Sequence, residues 1–297
     1  MTKDELLAAA RAGDLERLGA ERDAVVAAIE AFADAGDAAA ALELAGKAWR
    51  IWFSRGELEQ GSAAMAAALA AAGAAEPSAV RARVLCADGV FALRAGDQER
   101  SRARNEEALA VARAASDLRG ECDALTGLAR VALRDGDYGL VAQLAEEGRR
   151  RAQLAGDREA ETAPLHLLAA GTRLGGDHHR ARELYTESLE LNCALRNTGW
   201  VAMELHNLGW VELHLGDVEA AAARFGERDA AEDDDDAYGS AWRELNWAAV
   251  AAGRGDTEEA RSRFAAGRSA LAALGVSLDP DDQAELDWLH EQLDATR

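Results

Sequence analysis

Glycine–acid pairs recur along this chain at a nearly constant interval, and that interval constrains the fold more than any other feature. Successive glycines of the series lie 40 residues apart, except for a last interval of 39. A second series, formed by Asp117, Asp157 and Asn197, has the same interval of 40. Two turns in each period require two helices, and a fixed period of this kind predicts a solenoid of stacked helix pairs. The members of the first series are Gly56-Glu57, Gly96-Asp97, Gly136-Asp137, Gly176-Asp177, Gly216-Asp217 and Gly255-Asp256.

The glycine–acid pair has the chemistry of a short turn between two helices. Glycine tolerates the left-handed backbone conformation that ends a helix, and the Asp after it can cap the next helix by accepting hydrogen bonds from its first amides. Because the connection is so short, we expect the two helices of each pair to lie antiparallel and to pack together.

Composition indicates an all-α chain and argues against two classes of partner. Alanine and leucine dominate, and the 297 residues include only 3 prolines, as is typical of helices. The formal net charge of −21 argues against direct binding of nucleic acid, because phosphate neutralisation needs clusters of Lys and Arg. The sequence has neither a long uninterrupted apolar run nor a signal-peptide core. We therefore expect a cytoplasmic protein without a membrane partner.

No cofactor or metal site is suggested. The 3 cysteines form no CxxC spacing, so neither a disulfide framework nor a zinc site is expected. The acidic run at 231–239 (AEDDDDAYG) lacks the alternation and the closing glutamate of an EF-hand loop, and a solvated loop is the better interpretation. The signatures HExxH and GxSxG and the glycine-rich phosphate loop are absent.

The period divides the chain into one array with different ends. We expect a single domain over 1–297, with N-terminal helices in 1–36, six helix pairs in 37–274 and a capping helix in 275–297. A terminal cap is needed because the last repeat would otherwise leave an apolar face bare.

The clearest repeat resembles the tetratricopeptide motif. Residues 208–225 (LGWVELHLGDVEAAAARF) carry Leu208, Gly209, Ala221 and Phe225 at the spacing of that motif. Two other stretches, 128–138 and 168–185, match it more loosely. The period of about 40 exceeds the usual 34 of the motif, so each helix should be longer. This resemblance implies a right-handed superhelical α-solenoid in which the first helix of each pair lines a concave groove.

A second resemblance covers almost the whole chain. Residues 18–69, the repeats and the segment 273–293 (ALGVSLDPDDQAELDWLHEQL) look like the C-terminal sensor region of actinobacterial STAND-type ATPase regulators. In those proteins the array follows a nucleotide-binding domain and often precedes a LuxR-type DNA-binding domain. Here no GxxxxGK loop and no basic recognition helix occur, so the resemblance implies a detached sensor or scaffold module.

The first helix of the clearest repeat has two apolar stripes where packing requires one. Leu205, Leu208 and Val211 follow the spacing of a packing stripe. Met203, His206 and Trp210 lie on another face, which the tetratricopeptide resemblance assigns to the groove. The same register in the other repeats extends this face, and the resulting binding residues are Arg50, Phe53, Asp123, Arg130, His166, Arg173, Met203, His206, Asn207, Trp210, Trp242 and Asn246.

These residues suit an apolar or aromatic ligand with an acidic or polar group, through Arg contacts and stacking on Trp. In the structural alternative, Trp210 and Trp242 fill space between long helices, and the arginines are solvated or paired with Asp123 or Glu43. We favour a regulatory module that binds a protein segment or a small effector. The alternative is a small-molecule-binding protein or an enzyme.

The enzyme alternative would use His166, His206 and Asp123 in the groove. The carboxylate clamp of chaperone-binding tetratricopeptide domains is not expected, because its Lys and Asn set is not assembled here. A homodimer remains open, with Trp288 on the last helix as a candidate contact.

Overall fold

A computed structural model of the protein describes residues 1–231, 237–275 and 278–295. Throughout these ranges the regular elements are α-helices, and no β-strand occurs. The all-α prediction is confirmed. The aspartates of the acidic run, at 233–236, lie outside the described residues, so the loop interpretation stays a prediction.

The helices follow one another in pairs from α4 onward. In the pairs from α7 to α16 the first helix has an odd number and the second an even number. The bounds are α1 (Lys3–Ala12), α2 (Leu15–Ala20), α3 (Arg22–Asp34), α4 (Ala38–Ala48), α5 (Arg50–Phe53), α6 (Leu58–Ala70), α7 (Ala79–Arg94), α8 (Gln98–Ala114), α9 (Leu118–Arg134), α10 (Tyr138–Ala155), α11 (Arg158–Leu174), α12 (His178–Leu195), α13 (Thr198–His214), α14 (Val218–Ala231), α15 (Ala237–Gly253), α16 (Thr257–Leu274) and α17 (Pro280–Ala295).

The first predicted pair differs from the others. The first helical segment of this pair divides into α4 and the single turn α5, with Trp49 between them. Trp49 keeps helical dihedrals, with φ −50° and ψ −33°. The interruption therefore redirects the chain only slightly.

The repeated turns have the predicted chemistry. Gly216 has a φ of 81°, and the glycines of the other turns in the series are also left-handed. The Asp217 carboxylate accepts a hydrogen bond from the Ala220 amide at 3.0 Å, and Asp97, Asp137, Asp177 and Asp256 cap their helices in the same way. Glu57 is the exception and makes no side-chain cap, because its longer side chain is a poorer N-cap than Asp.

The helix pair α13–α14 is closed by a large side chain against a small one. In α13 and α14, a Cβ added to Gly209 would lie 2.2 Å from Phe225. The predicted packing residues Leu205, Leu208 and Val211 are buried beside this contact. Burial of each such side chain stabilises the fold by about 1.5–3 kcal/mol. The absence of a side chain at Gly209 thus lets the two helices approach closely.

The chain groups into two compact units. Unit 1 comprises Met1–Val131 and Leu144–Glu161, and unit 2 comprises Ala132–Gln143 and Thr162–Arg297. In unit 1 a core formed by α1 to α7 contains Trp52 and Phe91. In unit 2 a core formed by α13 to α17 contains Trp210 and Phe225.

The last helix, α17, does more than cover an end of the array in unit 2. Asp279, just before α17, accepts a hydrogen bond from Arg134 of α9 at 3.0 Å. Trp288 lies against Trp210 of α13, with ring centroids 6.0 Å apart. Near the other end, Arg261 of α16 donates to the Leu293 carbonyl at 3.1 Å. The α17 segment therefore contacts α9 and α13, which are the first helices of their pairs, and α16, which is the second helix of the last pair.

No helix within the described ranges combines the length and the apolar character needed to cross a membrane.

Candidate functional site

The face of α11 and α13 in unit 2 carries a buried charged cluster that α17 completes. The Arg173 guanidinium is 3% exposed and forms an ion pair with Glu285, which is 2% exposed. Asp281 lies 3.5 Å from the same guanidinium, and His214 Nε2 lies 2.7 Å from a Glu285 oxygen. Burial opposes the charge of Arg173, but the surrounding carboxylates and Tyr185 raise its pKa above the ordinary value. The cluster thus keeps a buried cation charged.

An aromatic layer continues this face toward α15. The Trp210 indole donates a hydrogen bond to the Asn246 amide oxygen at 2.9 Å, and the Asn246 nitrogen lies 3.2 Å from His206 Nδ1. Trp242 packs edge-on to Trp210, with centroids 6.2 Å apart. Trp288 of α17 packs on Trp210 in the same way. Trp210, Trp242 and Asn246 are all buried.

The two predicted histidines of unit 2 have opposite environments. His166 Nδ1 lies 3.1 Å from both oxygens of Glu204, and the Ser188 hydroxyl donates to Glu204 at 2.7 Å. Burial acts to lower the pKa of His166, but the Glu204 carboxylate outweighs it and the pKa is raised. Burial, together with Arg228 and Arg173, lowers the pKa of His206 well below its ordinary value. His166 is therefore suited to carry a proton, and His206 is suited to stay neutral.

Glu204 was not among the residues predicted from the sequence. It is fully buried on the side of α13 that packs against other helices. The sequence did carry a signal for Glu204, because the equivalent positions of the two preceding repeats, 40 and 80 residues earlier, are the uncharged Pro164 and Ala124. A carboxylate at such a position indicates a buried polar partner.

The remaining predicted residues of unit 2 differ in exposure. Met203 is 44% exposed. Asn207 is buried and donates to the Met203 carbonyl at 3.0 Å, which is a contact within its own helix. Of this pair, only Met203 presents its side chain to solvent.

Unit 1 contains two exposed arginines beside two partly buried aromatic rings, which we call the arginine–aromatic patch: Trp49, Arg50, Phe53 and Arg94. The Arg50 guanidinium lies over Trp49 at 5.1 Å, and that of Arg94 lies over Phe53 at 5.6 Å. The rings of Trp49 and Phe53 meet edge-on at 5.5 Å. The sequence analysis predicted Arg50 and Phe53 but missed Trp49. Trp49 could have been recognised as an aromatic residue directly beside Arg50.

Asp123 and Arg130, two further predicted binding residues, also belong to unit 1. Asp123 pairs with Arg119 at 3.0 Å, and Arg119 also binds Asp157 at 2.6 Å. Burial raises the pKa of Asp123, against the effect of Arg119. Glu43, the other acid considered for ion pairing, pairs with Arg11 at 2.7 Å. Neither acid therefore pairs with Arg50.

The three residues named for catalysis are divided between the two units. Asp123 belongs to unit 1, whereas His166 and His206 belong to unit 2 and have different hydrogen-bond partners. Among the described residues, no group of three or more His, Cys, Asp or Glu side chains is arranged to hold a metal ion.

The helix pairs define a TPR-like, all-α repeat fold, and solved structures confirm this class. The chain is similar to a Rap protein complexed with Competence and Sporulation Factor, with a TM-score of 0.65, 13% identity, 99% of this chain covered and 85% of that one. The apo form of RapI gives 0.61 at 13% identity, with coverages of 95% and 78%. A tetratricopeptide repeat protein from Parabacteroides merdae gives 0.54 at 12% identity, with coverages of 92% and 98%.

These similarities concern the fold, because the identities are low. No family model matches the chain, and no curated protein matches it in sequence.

Proposed function

We propose that this chain is a protein-binding scaffold that acts in bacterial cytoplasmic regulation. The first-helix face of unit 2, formed by Arg173, His206, Trp210 and His214, would take a helical acidic segment of a partner protein. One observation supports this most: α17 lies on that face and contacts it through carboxylates and an indole.

The contacts of α17 suggest the chemistry of the segment. Asp281, Glu285 and Trp288 follow the i, i+4, i+7 spacing of one helix face. The two carboxylates meet Arg173, and Trp288 meets Trp210 and His214. A partner helix with two acids one turn apart and an aromatic residue in the next turn would make the same contacts. This is the helix-in-groove mode of recognition.

The comparisons favour a peptide or protein ligand. One of the structures with the same fold is a complex of a Rap protein with Competence and Sporulation Factor, so that protein binds a factor on this type of scaffold. The resemblance of the present sequence to sensor regions of STAND-type regulators points in the same direction, toward a role in regulation.

A small-molecule role has less support. A cavity of about 270 Å³ lies between α6, α7 and α8 and is lined by Leu69, Leu85, Arg81, Arg104 and Glu107. Its volume is slightly below the usual range of ligand pockets, about 300–1,000 Å³. Its charged groups already pair with one another, because Glu107 binds both Arg81 and Arg104. We therefore keep the small-molecule or enzyme role as the alternative.

The test uses the full chain and a fluorescein-labelled peptide of residues 278–295 (LDPDDQAELDWLHEQLDA). In the unaltered chain α17 competes for the face at a high effective concentration, on the order of mM. Glu285→Gln should weaken that competition, so the peptide should bind the variant at least about tenfold more tightly. The peptide should also slow hydrogen exchange in α11 and α13.

The matched control is Glu291→Gln, on the same helix. Glu291 is exposed and makes no described hydrogen bond or ion pair. Equal affinity for the two variants, or the absence of peptide protection in α11 and α13, would contradict the proposal.

A further inference from the structure

We infer that the arginine–aromatic patch of unit 1 is a second docking site, which takes an acidic helical segment of a partner protein. The inference rests on the proposed function, because it extends the same recognition chemistry to another part of the chain. It concerns an exposed surface rather than the α17-covered face of unit 2.

The patch presents two cations held against aromatic rings. Arg50 and Arg94 are exposed, whereas Trp49 and Phe53 are partly buried. A third ring, Phe91, lies edge-on to Trp49 at 6.3 Å and is itself buried in the core of unit 1. A guanidinium stacked on a ring keeps its in-plane N–H groups available for a carboxylate. The rings fix the two cations in place while leaving their donors to solvent.

The charges of the patch are unmatched within the described chain. Neither Arg50 nor Arg94 has a described ion pair or hydrogen bond to a carboxylate; their contacts are the two rings. Other arginines of unit 1 do find acids, for example Arg104 with Asp88 at 2.8 Å and Arg119 with Asp157 at 2.6 Å. With 54 acidic and 33 basic residues in the chain, acidic partners are plentiful. Two unmatched, stacked guanidiniums are therefore complementary to an acidic ligand.

The repeat register points to the same ligand. Positions one and three periods after Arg94 are Arg134 and His214. In unit 2, Arg134 binds Asp279 at 3.0 Å, and His214 lies 2.7 Å from Glu285. Arg94 thus occupies the register at which two later residues meet the carboxylates of the α17 segment.

The repeat position of Arg50 indicates that the ligand also carries an aromatic or apolar side chain. Four periods after Arg50 stands Trp210, which packs on Trp288 of α17. In unit 1 the corresponding aromatic surface is supplied by Trp49 and Phe53. The patch therefore fits a helix that carries carboxylates near an aromatic or apolar side chain. The chain's own α17 is engaged in unit 2, so the occupant is a segment of another protein.

The experiment measures binding of the labelled 278–295 peptide to the unaltered full chain, in which α17 covers the face of unit 2. Arg50→Gln/Arg94→Gln should weaken binding at least about tenfold, because the double variant removes both charge-assisted contacts to the carboxylates of the peptide. A peptide with its Asp and Glu residues changed to Asn and Gln should bind no better than this double variant. Circular dichroism of the double variant should match that of the unaltered chain, since both arginines are exposed.

The control variant is Arg158→Gln/Arg268→Gln, which removes the same charge. Arg158 is exposed without a described partner, and Arg268 lies over Phe264 at 5.5 Å, so a stacked arginine is also lost. Unchanged binding in this control, with loss in Arg50→Gln/Arg94→Gln, would support the patch. An equal loss of peptide affinity in both double variants would show that net charge alone explains the effect, and it would overturn the inference.

Other results separate the inference from the proposed function. A peptide that binds only the Glu285→Gln chain would support the proposed function and overturn the second site. A peptide that binds neither chain would overturn both. A concentration-dependent dimer in sedimentation velocity, abolished by Arg50→Gln/Arg94→Gln, would assign the patch to α17 of a second copy and overturn the assignment to a partner protein.

Discussion

Glu285→Gln tests whether the buried charged cluster fixes α17 in unit 2. Glu285 is 2% exposed and forms an ion pair with Arg173, which is 3% exposed. Loss of one partner from a buried pair destabilises a protein by about 3–5 kcal/mol, because the other charge stays buried and uncompensated. Asp281 would still lie 3.5 Å from the guanidinium. We therefore expect the lower end of the range, about 3 kcal/mol.

Hydrogen exchange read by mass spectrometry measures this effect locally. A loss of about 3 kcal/mol raises the opening equilibrium by about 150-fold. Amides of α17 should exchange faster by that factor, while those of α1 to α7 in unit 1 should not change. The measurement is made at a pH and temperature where exchange follows the opening equilibrium.

Glu291→Gln is the reference for this measurement. It removes an exposed carboxylate of the same helix, and surface changes of this kind alter stability by at most about 0.5 kcal/mol. An acceleration in Glu285→Gln of less than about threefold, or one equal to that of Glu291→Gln, would refute the account of the cluster.

Three further predictions concern packing and protonation. Gly209→Ala should lower the free energy of unfolding, measured by urea titration, by about 1–3 kcal/mol, because the new Cβ would meet Phe225 at 2.2 Å. The control is Gly226→Ala, whose new Cβ would have no neighbouring atom within 4 Å and which should be neutral or stabilising. Burial lowers the pKa of His206, so the side chain stays neutral in the folded protein and the free energy of unfolding should fall as the pH drops below 6.5. His206→Gln should make the free energy of unfolding depend less steeply on pH in that range. An unchanged pH dependence in the variant would contradict this prediction. Burial raises the pKa of Asp282 to about 7. The contribution of Asp282 to stability should therefore fall as the pH rises from 3.8 toward 7. Above pH 7, Asp282→Asn should unfold at a higher temperature than the unaltered chain.

The repeat architecture was predictable because its determinants are local. A left-handed glycine followed by a capping aspartate acts within a few residues, and the turn at Gly216 has this geometry. The packing stripe of α13 is also a matter of helical spacing, and its predicted members are buried. Neither feature needs information from distant parts of the chain.

The site was harder to predict because its surroundings come from distant residues. The face of α13 was identified from its second apolar stripe, but whether Trp210 meets a ligand or a neighbour depends on other helices. Trp288 and Asn246, which bury it, lie 78 and 36 residues further along the chain. Likewise, Arg173 was predicted as a binding residue, yet its carboxylate is on Glu285, separated by 112 residues.

The sequence by itself determined the period, the turns and the side of each helix that packs, because these follow from dihedral preferences and helical spacing. Only the tertiary structure decided which part of the candidate face is covered. In unit 2, α17 supplies acids to Arg173 and His214 and an indole to Trp210. In unit 1, Arg50 and Arg94 meet aromatic rings and no described carboxylate. The physical reason is that desolvation and charge pairing depend on every group within a few ångströms, whatever its position in the chain.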